Sequence, residues 1–236
     1  MGSQNYLNMA FEKLGHIMLD DMRMKASDIY KLAVKRQKKQ DYNPPVYNEN
    51  KINIRSVFEK GGMCFYVTPK NASVKEYFMF LHGGGFVSQM SRNEWRFVLD
   101  TVESTGYGAI VPVYPLAPDH SAAEAVDMLA GAYEKLCEKE DANRIVLIGD
   151  SSGACLALSV AIQLWKTGIR RPDKLILCSP VLDTEFEDRE LEQEMGDRRK
   201  FVYGYYYTPE IRSFLRQYWV KDSEGKVDVT SPVYSD

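Results

Sequence analysis

The chain has 236 residues, of which 44% are hydrophobic and 27% charged, and its formal net charge is −3. This length suits one large domain, or one domain with a small appendage, and the apolar fraction suffices for a sizeable core. The mildly acidic balance gives no reason to expect a nucleic-acid partner, and no apolar run approaches the ~20 residues needed to cross a membrane.

The N-terminal residues and the four cysteines indicate the cellular compartment and the cofactor use of the protein. The first 18 residues lack the continuous apolar core and cleavage site of a secretory signal. No two of the cysteines have metal-ligand spacing, and Cys155 and Cys178 lie in apolar patterns where a thiol acts as a small hydrophobe. Phosphate-loop and dinucleotide motifs are absent. We therefore expect a reduced, cytoplasmic protein with no metal and no organic cofactor.

The N-terminal part of the chain has a helical pattern. Apolar residues recur at helical spacing over residues 5–39, which predicts two helices with a break near residues 20–25. The pair Pro44–Pro45 marks a boundary. We expect residues 1–48 to form a helical cap segment and residues 49–236 to form the core.

From residue 51 the pattern changes to strands. Residues 52–57 and 63–67 flank Lys60-Gly61-Gly62 and predict an antiparallel hairpin. Apolar runs at 77–81, 109–114, 144–148 and 174–178 then alternate with helical segments, two of which begin with capping boxes at Ser91 and Ser121. This alternation predicts an α/β protein with a doubly wound, mostly parallel sheet. Residues 185–220 break the rhythm, and we expect them to add to the cap.

A Gly-x-Ser-x-Gly pentapeptide follows the apolar run at 145–148. It spans Gly149-Asp150-Ser151-Ser152-Gly153, and a helix of small residues begins at once. A strand, a sharp turn and a helix form the context in which such a serine is a nucleophile elbow. Ser151 is therefore the predicted catalytic nucleophile.

Three consecutive glycines, Gly83, Gly84 and Gly85, follow the apolar strand at 77–81. A serine nucleophile needs N–H donors aimed at the oxyanion of its tetrahedral intermediate, and glycine lets the backbone approach the substrate closely. We expect an oxyanion hole made by Ser152 N–H and the glycine loop, with Gly84 central and Gly83 or Gly85 beside it. Each motif alone is weak. Both end apolar strands in the expected order, which makes their combination specific.

Other polar residues near these motifs have less specific interpretations. Asp150 is expected to hydrogen-bond within its loop, because it points along the turn in a different direction from Ser151. His82 is expected to order the glycine loop, and His16 to be a surface residue of the N-terminal helices. The tyrosines at 203–207 are expected either to line a substrate pocket or to pack under the cap.

Five segments together carry a family resemblance. They are residues 82–86 (HGGGF), 114–120 (YPLAPDH), 149–153 (GDSSG), 179–183 (SPVLD) and 231–236 (SPVYSD). In these segments the chain resembles the hormone-sensitive-lipase-like branch of the α/β-hydrolases, bacterial carboxylesterases with HGGG and GDSAG motifs. The resemblance implies a helical cap and hydrolysis of small-molecule, short-chain acyl esters through an acyl-enzyme on Ser151. It also implies that His120 is a common non-catalytic residue.

The chain departs from this family after Ser151. Triad order in the fold is serine, acid, histidine, but no histidine follows Ser151, and Asp183 and Asp236 match family positions that do not serve as the acid. We therefore expect the acid, the histidine and the last two strands to be missing, and weak or no activity from this chain alone.

Three explanations of this departure are open. The chain is a fragment of an esterase, or a truncated form completed by a C-terminal segment or a homo-oligomer, or a non-catalytic ligand-binding relative. The first two are favoured, because an unpaired strand edge is an aggregation liability that a receptor would be expected to avoid.

Overall fold

A computed structural model of the protein describes residues 25–140, 142–184, 209–221, 223 and 226–235. Several predictions lie outside these ranges. They concern the first N-terminal helix and the helix break, His16, the tyrosines at 203–207, Asp236 and the greater part of the 185–220 cap insertion.

The described part of the chain is built on a six-stranded sheet. In chain order its strands are β1 (Ile52–Glu59), β2 (Gly62–Pro69), β3 (Glu76–Leu81), β4 (Gly108–Val113), β5 (Arg144–Asp150) and β6 (Lys174–Cys178), and their spatial order is β1-β2-β4-β3-β5-β6. β3 is parallel to both β4 and β5, and β5 is parallel to β6. β2 is antiparallel to its neighbours β1 and β4. The predicted α/β class with a mostly parallel sheet is confirmed.

The predicted hairpin forms between β1 and β2, with Glu59 paired to Gly62 across the turn. The two connecting residues, Lys60 and Gly61, have φ values of 49° and 84°. Two successive positive φ values are the mark of a type I′ turn, whose twist matches that of the strands it joins. Gly61 supplies one of them without a steric penalty.

Helices cover both faces of the sheet. The α-helices are α1 (Ala26–Gln37), α2 (Arg92–Thr105), α3 (Ala122–Lys139), α4 (Ser152–Lys166), α5 (Pro209–Phe214) and α6 (Val227–Thr230), with a π-helical turn at Leu215–Val220 and a 3₁₀ turn at Pro232–Tyr234. Ser91 with Glu94 and Ser121 with Glu124 form the two predicted capping boxes. The π-helical turn was not predicted, because local periodicity does not separate it from an α-helix.

The core has two layers because successive strand residues point to opposite faces. One layer packs the sheet against α3 and α4 and includes Tyr66, Met79, Ile110, Leu147, Leu129 and Leu156. The other packs the sheet against α2 and includes Phe65, Phe78, Val111, Val146, Trp95 and Val98. The carboxyl ends of β3 and β5 emerge between these layers, so both predicted motifs lie at one edge of the sheet.

The described residues contain no helix that is both long and apolar enough to cross a membrane. All four cysteines are free, and Cys155 is buried as predicted. Cys178 is exposed instead, because it is the last residue of β6, which in the described sheet pairs with β5 alone.

Candidate active site

Ser151 lies in the sharp turn between β5 and α4. Its φ of 52° and ψ of −116° are strained for a residue with a side chain. The turn is held by main-chain hydrogen bonds, since Ser151 N–H donates to Cys178 O (2.8 Å) and Ser151 O accepts from Ala154 N–H (3.0 Å). The side chain is partly exposed at the sheet edge. This is the local geometry that the pentapeptide predicted.

The glycines on either side of Ser151 are required by close packing. A Cβ on Gly149 would lie 2.4 Å from Gly153 O, and a Cβ on Gly153 would lie 2.1 Å from Leu81 O. Both distances are well inside van der Waals contact, so side chains at these positions would push α4 away from the strand ends. The spacing of the motif therefore follows from the approach of α4 to β3 and β5.

The glycine loop after β3 has three successive residues with positive φ, of which only Phe86 carries a side chain. Gly84, Gly85 and Phe86 have φ values of 115°, 62° and 64°. A Cβ on Gly84 would lie 2.8 Å from Ser88 Cβ, so glycine is required there for space as well as conformation. The Phe86 ring is buried and stacks on Trp219, with ring centroids 4.6 Å apart.

The peptide that joins His82 to Gly83 is held at both of its polar ends. Tyr114 Oη donates to His82 O (2.6 Å), and Gly83 N–H donates to Glu94 Oε1 (2.7 Å). The N–H of Gly83 therefore already has an acceptor. This geometry does not favour Gly83 as a donor of the predicted oxyanion hole.

The next two peptides are held through their carbonyl groups alone. His82 Nδ1 lies 2.8 Å from Gly83 O, and Gly84 O accepts from Val87 N–H (3.2 Å) and Ser88 N–H (3.1 Å). The N–H of a trans peptide points opposite to its carbonyl, so those of Gly84 and Gly85 point away from these anchors. Neither N–H meets an acceptor within the described residues.

Ser152 supplies a further N–H at the start of α4. It is the first residue of that helix, where backbone N–H groups have no partner in the helix itself. The positive end of the helix dipole also favours negative charge at this position.

The two histidines in the described ranges have partners other than Ser151. The buried His82 ring stacks on Tyr114 at 4.2 Å, and burial lowers the pKa of His82. Its Nδ1 contact with Gly83 confirms that it orders the glycine loop. His120 Nδ1 lies 3.4 Å from Glu124 on the exposed first turn of α3.

Two aspartates near the elbow differ in environment. The Asp150 carboxyl packs against Gly83, and burial, followed by the negative charge of Glu94, raises the pKa of Asp150 to about 6. No hydrogen bond to this carboxyl is found in the described structure, so the loop hydrogen bond predicted for it is not seen. Asp183 instead accepts from Ser231 Oγ (3.0 Å) and Tyr234 Oη (3.1 Å), which ties two of the motif segments together.

Two loop anchors were missed by sequence reasoning. Glu94 was recognised as a capping residue, and Tyr114 as part of a motif, but neither was connected to the glycine loop. The signal was weak, since Glu94 follows Gly83 by 11 residues and Tyr114 follows His82 by 32. No group of metal-binding side chains occurs in the residues that the structure covers.

Comparison with known proteins extends these observations. Residues 78–236 match the family model described as alpha/beta hydrolase fold. An esterase of Acinetobacter venetianus is 34% identical over 113 residues, which are 48% of this chain and 37% of that protein. Human hormone-sensitive lipase is 32% identical over 117 residues, 48% of this chain and 11% of that protein. The chain thus spans well under half the length of either relative.

Solved structures agree on the fold. A thermostable esterase from Pseudomonas putida superposes with a TM-score of 0.66 at 21% identity, covering 91% of this chain and 67% of that one. The family match includes the elbow, the glycine loop after β3 and the segments around Asp183 and Ser231. The chain belongs to the α/β-hydrolase family and, within it, to the hormone-sensitive-lipase-like branch.

Proposed function

We propose that Ser151 is the nucleophile of a carboxylic-ester hydrolase whose oxyanion hole is formed by the N–H groups of Gly84, Gly85 and Ser152. The observation that carries this proposal is the combination of a strained serine with three N–H groups that have no acceptor in the described chain. An oxyanion-hole donor is typically worth ~3–4 kcal/mol of transition-state stabilisation. The relatives named esterase and lipase support the reaction class.

The proposed reaction is acyl transfer in two steps. Ser151 Oγ gives its proton to a base from the solvent, such as water or added imidazole, and attacks the ester carbonyl carbon. The carbonyl oxygen becomes an oxyanion that accepts from the three N–H groups. Collapse of this intermediate expels the alcohol, which takes up a proton, and leaves an acyl-enzyme. Water then attacks the acyl-enzyme, which releases the carboxylic acid and restores the serine.

No residue of this chain is assigned as the base. The two described histidines contact Gly83, Tyr114 and Glu124, and no histidine follows Ser151 in the sequence. We therefore propose that this chain by itself hydrolyses esters slowly. We propose short acyl chains and a small-molecule substrate from the resemblance, and a cytoplasmic location from the N-terminal sequence and the pattern of cysteines. Completion by a second segment or copy is proposed because no histidine follows Ser151.

Hydrolysis of p-nitrophenyl acetate and p-nitrophenyl butyrate tests the proposal, with imidazole added as an external base. Imidazole should raise the rate of the native chain above that of Ser151→Ala by about tenfold or more, because an oxyanion hole retains part of its effect when triad members are lost. Ser159→Ala, which changes a buried serine further along α4, is the matched control and should keep the native rate. Equal rates for the native chain and Ser151→Ala would overturn the proposal.

The second candidate function is ligand binding without turnover. It is favoured by the absence of a histidine beside Ser151 among the described residues. Saturable binding of p-nitrophenyl butyrate, with no rate above Ser151→Ala even in imidazole, would support it over the esterase.

A further inference from the structure

Glu94 connects the start of α2 to the glycine loop, which are separate elements of the structure. Its Oε2 accepts from Ser91 N–H (2.7 Å), which completes the capping box of α2. Its Oε1 accepts from Gly83 N–H (2.7 Å) in the glycine loop. A carboxylate accepting main-chain N–H groups makes charge-assisted hydrogen bonds, which are stronger than neutral ones. One side chain therefore fixes both the start of α2 and the loop in front of Ser151.

Four consecutive polar groups of the loop backbone show what this anchor does. His82 O, Gly83 N–H and Gly83 O are held by Tyr114, Glu94 and the His82 ring in turn. The fourth is Gly84 N–H, which has no acceptor in the described part of the chain. Because each peptide is planar, fixing the first peptide and the carbonyl of the second also fixes the direction of Gly84 N–H.

Titratable groups pack around Gly83, and the charge of Glu94 affects the pKa of one of them, Asp150. Asp150 Oδ2 from β5 would lie 3.0 Å from a Cβ on Gly83, close to the Glu94 carboxylate from α2. The other titratable groups are His82 at the end of β3, Tyr114 after β4 and Cys178 on β6, whose pKa is raised by burial and by Asp150. Removing the charge of Glu94 should therefore lower the pKa of Asp150.

We propose that Glu94 is a positioning residue of the oxyanion hole, which holds the His82–Gly83 peptide so that Gly84 N–H stays directed to the substrate. This inference rests on the esterase function proposed above. It assigns no proton transfer to Glu94 and no contact with the substrate. The residue acts on the reaction through the glycine loop alone.

The test compares Glu94→Gln with Ser91→Ala. Both substitutions weaken the α2 capping box, but only the first removes the carboxylate from Gly83. In the Ser151-dependent, imidazole-assisted hydrolysis of p-nitrophenyl acetate, Glu94→Gln should lower kcat by about tenfold to a hundredfold with KM changed less than about threefold. Ser91→Ala should keep kcat within about twofold. The pKa of Asp150, followed by NMR of its carboxyl carbon, should also fall in Glu94→Gln alone, because the charge of Glu94 contributes to its rise.

A second measurement does not depend on ester hydrolysis. Amide hydrogen exchange of Gly83 should be slow in the native chain and in Ser91→Ala, and about tenfold or more faster in Glu94→Gln. Equal effects of the two substitutions on kcat, or unchanged Gly83 exchange in Glu94→Gln, would overturn the role of Glu94. A native chain that shows protected Gly83 but no Ser151-dependent hydrolysis would instead overturn the esterase function and leave the loop anchor standing.

Discussion

At the scale of single residues, the site depends on glycines that are needed for two separable reasons. Gly153 is needed for space, because a Cβ there would lie 2.1 Å from Leu81 O. Gly61 in the hairpin turn is needed for its φ of 84°, while nothing lies within 4 Å of its Cβ position. Comparing the two separates a clash in the core from backbone strain at the surface.

We expect Gly153→Ala to destabilise the protein by ~3 kcal/mol or more, because the main-chain atoms it meets can move only if α4 shifts. Gly61→Ala is the control and should cost ~1–2 kcal/mol, the penalty of a left-handed conformation with a side chain. Urea unfolding monitored by circular dichroism measures both. Equal losses would show that the close approach of α4 to the strand ends does not require glycine at position 153.

Asp150 is a second single residue with a measurable effect, because its ionisation makes the stability of the folded protein depend on pH. Burial and the charge of Glu94 raise its folded-state pKa from 3.8 to about 6, so the ionised form is disfavoured in the folded protein. The contribution of this group to stability is therefore most favourable below pH 4 and declines as pH rises to about 6.

Asp150→Asn removes this cost and should raise Tm relative to the native chain at pH 7 but not at pH 4. The expected change in the Tm difference between these pH values is about 2–4 °C. It corresponds to ~1 kcal/mol for a domain of this size, because partial solvent access screens part of the effect. Differential scanning fluorimetry at both pH values measures it. A Tm difference that grows toward acid would contradict the direction of the pKa shift.

At the scale of elements, α1 is tied to the loops around the site by one side chain. Gln37 Nε2 donates to Val87 O (2.9 Å), just after the glycine loop, and to Ala117 O (2.7 Å), after β4. The helix also packs against α5, and its Tyr30 contacts Tyr218 in the π-helical turn that follows α5. The helix α1 is thus connected to the end of the glycine loop through Gln37.

Gln37→Ala should destabilise the protein by about 1–3 kcal/mol, because two partly buried carbonyls lose their donor. Amide exchange in α1 should rise with it. Lys31→Ala on the same helix is the control, since it removes an exposed ion pair with Asp28, and should cost at most ~0.5 kcal/mol. A loss no larger for Gln37→Ala than for Lys31→Ala would show that apolar packing alone holds α1.

At the scale of the whole molecule, the described sheet ends in β6, which pairs there with β5 alone. Alternate side chains of β6 are exposed, and Ile176 keeps 44% of its surface accessible. An apolar strand edge of this kind is a template for pairing with another chain.

Ile176→Lys should therefore reduce concentration-dependent association of the chain, because a charge on an edge strand opposes strand pairing. Val233→Lys, which adds the same charge at an exposed apolar residue of the 3₁₀ turn, is the control and should leave association unchanged. Light scattering across a range of concentrations distinguishes them. An equal effect of both substitutions would indicate general charge repulsion, and not pairing at the edge of β6.

The sequence by itself determined the strands, the helices and those parts of the site that lie within one short segment. Alternating apolar runs, two capping boxes and the Lys60-Gly61 turn predicted the strands and helices, because each depends on residues close together in the chain. The Gly-x-Ser-x-Gly turn likewise predicted the backbone of Ser151, since the strand, the turn and the start of the helix are contiguous.

Only the tertiary structure decided which N–H groups of the glycine loop have no acceptor in the described chain. Three identical glycines carry no local signal that distinguishes them. Gly83 differs from Gly84 because Glu94 comes from the next helix and Tyr114 from the loop after β4. The folded sheet brings these side chains to one edge, and a hydrogen bond made there cannot be recovered from residue spacing.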